Sequence, residues 1–478
     1  MTLDDQLRIT LQQAGFTGKI ESTLVTRLGR PLNPKLIKLG QLLFFDKIGA
    51  LHSDNSCGGC HAPSHGFGDT QSIAIGIQNN NIAGPNRKGP RNQRRTPSVV
   101  NTAFYPGLMW NTRFSALSGD PFDNSQPFLF PSPEGITRFP ANDPVVKHLL
   151  IAQAHIPPTE TVEVAGFTGT KNTSFSLGPR FDQFDDGLGS PIPAPDPIDG
   201  FRNEPIRQAV LGRLNASVAY KKLFGDIFPT VKSGSPIDFK MFGQAIAEFE
   251  FTLVFANAPV DRFARGENSA MSTEEKRGAL IFFVSGKCVQ CHAVGGKSNE
   301  MFSDFKNHVI AVPQIAPFFG VGKGNVIFDG VLENEDEGLK QFTGQGVDIY
   351  KFRTSPLRNA ALQPAFFHNG AFTRLEDAIR HHLDVRASAR GYNAVRAGID
   401  KDLTYRLGPI EPVLARLDLL LAAPIRLSQD EFESLVKFVK VSLLDSRANR
   451  KNACAIAPAS VPSGMKPVDF ELCHEDDK

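Results

Sequence analysis

Two Cys-x-x-Cys-His pentapeptides constrain this chain more than anything else in it: Cys57-Gly-Gly-Cys60-His61 and Cys288-Val-Gln-Cys291-His292. Two thiols at this spacing add to the two vinyl groups of a haem, and the histidine that follows reaches the iron. A Cys-x-x-Cys pair also serves zinc sites and dithiol redox centres. A redox dithiol has no use for the histidine. One zinc site does not account for two complete pentapeptides, each introduced by the same segment. That segment is Gly40-Gln-Leu-Leu-Phe-Phe45 before the first motif and Gly278-Ala-Leu-Ile-Phe-Phe283 before the second. Each reads as the end of an amphipathic helix feeding a short loop. The chain therefore reads as two cytochrome-c-like modules, each with one covalently bound c-type haem.

The 478 residues suffice for two or three domains. Strand signals are few, so the expected fold is mostly α with long irregular loops. The first haem domain is expected over residues 20–250, the second over 251–450, and a tail over 451–478. Helical patterning is clearest at Phe239–Phe255, Thr373–Leu383 and Gln429–Leu444, and Ser272 with Glu275 forms a capping box. Between the modules, Pro157 to Gly200 is rich in Gly, Pro, Thr and Asp and reads as an irregular insertion over the surface. Cys454 and Cys473 are left over in the tail. Such a pair in an exported protein often forms a disulfide, but spacing leaves both outcomes open.

Formal net charge is +2, which implies no strong attraction to nucleic acid or anionic membrane. No apolar run reaches the roughly 18–20 residues of a membrane helix. Met1 to Ile20 is polar and lacks the apolar stretch of a signal peptide. Covalent haem attachment takes place outside the cytoplasm, so a periplasmic or otherwise exported protein with a cleaved leader is expected. Phe is used 38 times against 5 Tyr and 1 Trp. It suits an apolar cofactor crevice because it brings no polar atom, although most of the 38 read as ordinary core.

What fills the sixth position on each iron separates an electron carrier from a peroxidase. Several stretches bear on that question: Leu39-Gly-Gln-Leu-Leu-Phe-Phe-Asp46 with the first haem motif, Gly66-Phe-Gly-Asp69, Arg95-Thr-Pro-Ser-Val-Val-Asn101, Trp110-Asn-Thr-Arg113 and Pro131-Ser-Pro-Glu134. Asp261-Arg-Phe263, Glu275-Lys-Arg-Gly278, Lys351-Phe-Arg-Thr-Ser-Pro-Leu-Arg-Asn359 and Phe367-His-Asn-Gly370 follow. On these the chain resembles the bacterial di-haem cytochrome c peroxidase family, including its MauG branch, from about residue 36 to 445 apart from the insertion.

The resemblance implies a role for particular residues. Trp110, nine residues after Asn101, matches the tryptophan that relays an electron or hole between the haems; the plain alternative is a core Trp. Glu134 matches the distal glutamate that moves a proton between the two oxygens of peroxide; on sequence alone it reads as a loop residue. His382 falls where peroxidase members have the Met ligand of the second haem and MauG-like members a Tyr. Its rivals are His381 and Tyr392, and the plain alternative is a solvent-facing His pair. A bis-His second haem has a lowered potential, which favours a MauG-like high-valent cycle. The family also holds calcium between the haems through an Asn side chain and backbone carbonyls. This chain has Arg95 at the Asn position, with Gln363 and Ala365 at the carbonyl positions. Arg cannot coordinate a cation, so calcium is in doubt unless Asn92 substitutes.

The implied function is reduction of hydrogen peroxide at the open face of the haem on His61, with the haem on His292 storing or relaying electrons. The electrons would come from a small redox protein, or from a partner protein's side chain as in a MauG-like oxidase. The competing readings are a non-enzymatic di-haem electron-transfer cytochrome, its first haem closed by His65 or Met109, and a dioxygen-using protein acting on a small organic molecule.

Overall fold

The two Gly-x-x-apolar-Phe-Phe segments build the same piece of structure twice. The computed structural model describes the chain except residues 175, 177, 318–334, 405–406 and 475–478. Helix accounts for 41% of the residues against 6% for strand, so the fold is mostly α. The helices that position the sites are α1 (Pro34–Phe45), α2 (Asn203–Ala216), α3 (Phe239–Glu250), α4 (Thr273–Leu280), α5 (Leu375–Leu383) and α6 (Gln429–Lys437).

α1 starts where the Asn33 side chain accepts from the Lys35 and Leu36 amides, with Pro34 in the first helical position. It crosses α3 at Gly40, where a Cβ would overlap the Ala245 carbonyl and crowd Phe249. α4 crosses α6 at Gly278, where a Cβ would overlap the Ser434 carbonyl and crowd Phe438. Each glycine lets two helix backbones touch. The phenylalanines that follow then interlock: Phe44 meets Phe249 with ring centroids 5.1 Å apart, and Phe282 meets Phe438 at 5.3 Å. Only half of the expected capping box on α4 forms. The Ser272 hydroxyl accepts from the Glu275 amide, while the Glu275 carboxylate takes the hydroxyl proton rather than the Ser272 amide.

Neither end of the chain stays with its own half. Leu7, Leu11 and Phe16 pack into the core that holds Phe282, Phe302 and Phe438. The tail returns to the first half, where Asp469–Phe470 pairs in parallel with Ile82–Ala83 and Phe470 lies edge-on to Phe45. Cys454 and Cys473 are joined in a disulfide. No helix among the described residues is long and apolar enough to cross a membrane.

The insertion lies mostly at the surface over 171–200, as its composition suggests, but residues 164–168 and Phe184 anchor it inside. Gly and Pro break its secondary structure, but its aromatic residues still bury. Phe167 and Phe184 are fully buried beside Ile77. His52 ties the segment down, with Nδ1 2.9 Å from Asp54 and Nε2 3.0 Å from Asp186.

Candidate active site and second haem site

A cavity of about 510 Å³ lies against Cys57, Cys60 and His61. The two cysteines sit on a single helical turn and form no disulfide. The glycines between them are forced by crowding: a Cβ on Gly58 would strike the Phe45 ring, and one on Gly59 the Asn55 side chain. His61 Nδ1 faces the Phe67 carbonyl at 3.3 Å, which leaves Nε2 for a metal. Burial pulls its pKa down to about 4, so the imidazole is neutral, as a ligand must be.

A second cavity, of about 230 Å³, repeats the arrangement around Cys288, Cys291 and His292. His292 Nδ1 faces the Phe302 carbonyl at 3.0 Å, and burial again lowers the pKa to about 4. The ring of Phe44 stands 6.2 Å from His61 and that of Phe282 stands 6.3 Å from His292. Thiol pair, free imidazole nitrogen and apolar volume fit a covalently bound haem in both places.

The cavities differ in what faces the histidine. In the second, the His382 ring centroid lies 6.0 Å from that of His292. That leaves room for one metal ion at a nitrogen–metal distance of roughly 2 Å from each ring. His382 Nδ1 is held by the Ala378 carbonyl at 2.8 Å. The neighbouring His381 has both nitrogens occupied, by Ser388 Oγ and the Ile310 carbonyl. Tyr392 donates to the Ala371 carbonyl. Neither lines the cavity. Among the described residues, His61 is the only histidine lining the first cavity. Met109 also lines it, whereas His65 does not and bonds Ser64.

Glu134 is buried, but its carboxylate is not at the cavity wall. Oε1 pairs with Arg207 Nη1 at 2.8 Å, and the two side chains are only 2% and 1% exposed. The carboxylates that line the cavity are Asp46, Glu250, and Glu160 and Glu163 from the first turns of the insertion; Arg113 lines it too. Neither Glu160 nor Glu163 makes a side-chain hydrogen bond or ion pair among the described residues. Burial raises the pKa of both. Glu160 adds to the rise of Glu163, to about 7, against the pull of Arg113. Glu134 is near enough to raise Glu160 further. Sequence reasoning missed this pair because a segment taken for surface loop offers no periodicity that aims a side chain.

Trp110 lines both cavities, and so do Arg95, Pro97, Ser98, Tyr105 and Arg353. Its indole N–H donates to the Arg95 carbonyl at 2.7 Å.

Comparison with known proteins agrees with this geometry. The chain is 25% identical to methylamine utilization protein MauG of Methylorubrum extorquens, over 74% of this chain and 70% of that one. It is 26% identical to cytochrome c551 peroxidase of Pseudomonas aeruginosa, over 74% of each. The model of the di-haem cytochrome c peroxidase family matches residues 34–269. The chain is thus similar to the di-haem cytochrome c peroxidases. On that similarity it carries two covalently bound c-type haems and is an oxidoreductase with peroxide as acceptor. Solved structures share the fold. A MauG-like protein associated with microbial copper homeostasis superposes with a TM-score of 0.55 at 19% identity, covering 87% of this chain and 91% of that one. The di-haem peroxidase BthA from Burkholderia thailandensis gives 0.53 at 18% identity, covering 92% and 91%.

Proposed function

We propose that this di-haem peroxidase takes hydrogen peroxide at the haem on His61 and keeps the haem on His292 closed by His382. Oxidising equivalents would be shared between the two through Trp110, in a MauG-like cycle. The observation that carries the reading is the asymmetry of the cavities: two facing imidazoles in one, a single imidazole in the other. The haems, when bound, supply the electrons that cleave the O–O bond. The protein supplies the proton traffic.

Glu163 and Glu160 stand at the wall of the peroxide cavity, where a carboxylate takes a proton from one peroxide oxygen and returns it to the other. Glu134, paired with Arg207, lies near enough to Glu160 to disfavour its ionisation and acts as a positioning residue. Arg113 acts in the opposite sense. The imidazoles of His292 and His382 are both neutral and held through Nδ1, and two nitrogen ligands in place of a thioether lower the potential of the second haem. That favours storing oxidising equivalents over waiting for a half-reduced state. Two electrons then come from a small redox protein or from a partner protein's side chain, outside the cytoplasm.

Met109 at the wall of the first cavity keeps the carrier reading alive, because its thioether could close that haem. Low-temperature EPR of the ferric protein, before and after one equivalent of peroxide, separates the two. One high-spin and one low-spin signal, both lost on peroxide addition, is the expected result. Two low-spin signals indifferent to peroxide would make the protein a carrier, or an enzyme that must first be reduced.

A further inference from the structure

The wall between the cavities holds two buried arginines in equivalent places. Arg95-Thr-Pro-Ser-Val-Val-Asn101 and Arg353-Thr-Ser-Pro-Leu-Arg-Asn359 are one segment written twice. Each asparagine has a left-handed backbone, with φ of 64° and 59°. Each gives its side-chain amide to the carbonyl of Phe255, at 3.1 and 2.9 Å. An aromatic residue follows each asparagine nine positions on: Trp110 after Asn101, His368 after Asn359. The backbones then cross over. Arg95 N–H donates to the His368 carbonyl at 2.8 Å, and Arg353 N–H to the Trp110 carbonyl at 2.7 Å. The two arginines are 3% and 5% exposed, and each lines both cavities.

Neither guanidinium forms an ion pair among the described residues, although the buried Asp69 carboxylate lies near enough to Arg95 to favour its charge. Arg95 donates to uncharged oxygens only: the Gln71 carbonyl at 3.0 Å, the Asp69 carbonyl at 3.2 Å and Gln363 Oε1 at 2.9 Å. Arg353 gives Nε to the Met109 carbonyl at 2.9 Å, while its buried Nη1 has no partner among the described residues. Burial draws both pKa values down to about 10, so both remain cations at neutral pH. Two buried cations with one nearby carboxylate between them, and neither paired directly, are unfavourable. What arrives in these cavities with negative charge is the haem, which carries two propionate carboxylates.

We propose that Arg95 and Arg353 form a carboxylate-binding bridge between the haem cavities, with Arg353 Nη1 bonding a haem propionate, and that this bridge works without a divalent cation. Calcium, which the family resemblance implies near position 95, does not fit. The position that would supply the Asn ligand holds a cation instead, and the oxygens around it, the Gln71 and Asp69 carbonyls and Gln363 Oε1, are already taken by that guanidinium.

The test uses the purified protein with both haems attached. Elemental analysis, EGTA treatment and calcium addition are followed by EPR, thermal unfolding and redox titration. The expected result is no stoichiometric calcium and no change in spin state, unfolding temperature or either midpoint potential. In Arg353→Gln, losing the cation disfavours the added electron, so at least one midpoint potential falls, and Arg353→Lys restores most of the shift. One bound calcium per chain whose removal alters the spectra or potentials would overturn the proposal. So would Arg353→Gln with both potentials unchanged. If that variant does not assemble, Arg353→Lys and the calcium measurements on the unaltered protein still decide.

Discussion

Trp110 is held at both ends by the two arginines of the inter-cavity wall: its carbonyl accepts from the Arg353 amide at 2.7 Å, and its indole N–H donates to the Arg95 carbonyl at 2.7 Å. A carbonyl cannot take the indole proton, so oxidation of this ring would leave its charge in place beside two guanidiniums. The arrangement suits a ring that passes charge between the cavities rather than one that keeps it. Trp110→Phe is expected to preserve both haem spectra and slow peroxide-driven loss of the second haem's EPR signal by roughly tenfold or more, about 1.4 kcal/mol on the barrier. An unchanged rate in rapid-freeze EPR would reduce Trp110 to a core residue.

The three glutamates separate by variant. Glu163→Gln or Glu160→Gln should slow reaction with peroxide by roughly 10²–10⁴-fold, the usual worth of a placed acid/base. Stopped-flow absorbance measures it, and full rates in both variants would remove the insertion from catalysis. Glu134→Gln instead takes one of two carboxylates from a buried arginine and leaves Glu204 at 2.9 Å, so its first effect is on folding, about 1–3 kcal/mol by denaturant titration.

His382→Met should raise the midpoint potential of one haem only, because a thioether favours the reduced iron more than an imidazole does. Redox titration with optical detection reads it. His382→Ala should convert one low-spin EPR signal to high-spin. If the low-spin signal survives in His382→Ala, the ligand lies elsewhere.

The hold of the insertion depends on pH through His52. Burial opposes its charge, but Asp54 and Asp186 outweigh burial and raise its pKa to about 9. A raised pKa means the stabilisation is complete below the unfolded value of about 6.5 and is lost as pH rises through about 9. Hydrogen exchange in residues 157–200, corrected for intrinsic base catalysis, should therefore quicken between about pH 8 and pH 10. In Asp186→Asn that step should be smaller; a step of equal size would assign the loosening to another group.

The tail disulfide closes a sequence separation of 19 residues. Replacing both cysteines by serine should cost about 3 kcal/mol. It should also loosen Phe470 and Val468 from the glycines of the first haem motif, which they touch. Thermal unfolding of the variant reads the first effect, and an unchanged melting temperature would mean the tail is anchored by Phe470 and by Ser463, whose hydroxyl donates to Asp46 at 2.6 Å.

Both haem sites were legible in the sequence because attachment is local. Thiols and imidazole lie within five residues, and the glycine and two phenylalanines that introduce each motif mark the helix crossing that shapes it. His382 was singled out by counting forward from His368, and the structure sets its ring 6.0 Å from that of His292. Glu134 was singled out by resemblance as the distal glutamate and by sequence alone as a loop residue; the structure buries it and gives its carboxylate to Arg207, 73 residues on, away from the cavity wall. Glu160 and Glu163 face the cavity only because Phe167, Phe184 and His52 pin an irregular segment down, and such contacts have no period along the chain. The duplicated Arg-Thr…Asn segments are plain in the sequence, yet nothing local says that the two arginines meet in one wall. That meeting, like the crossing of both chain ends onto the opposite half, is decided when distant segments close over a shared core.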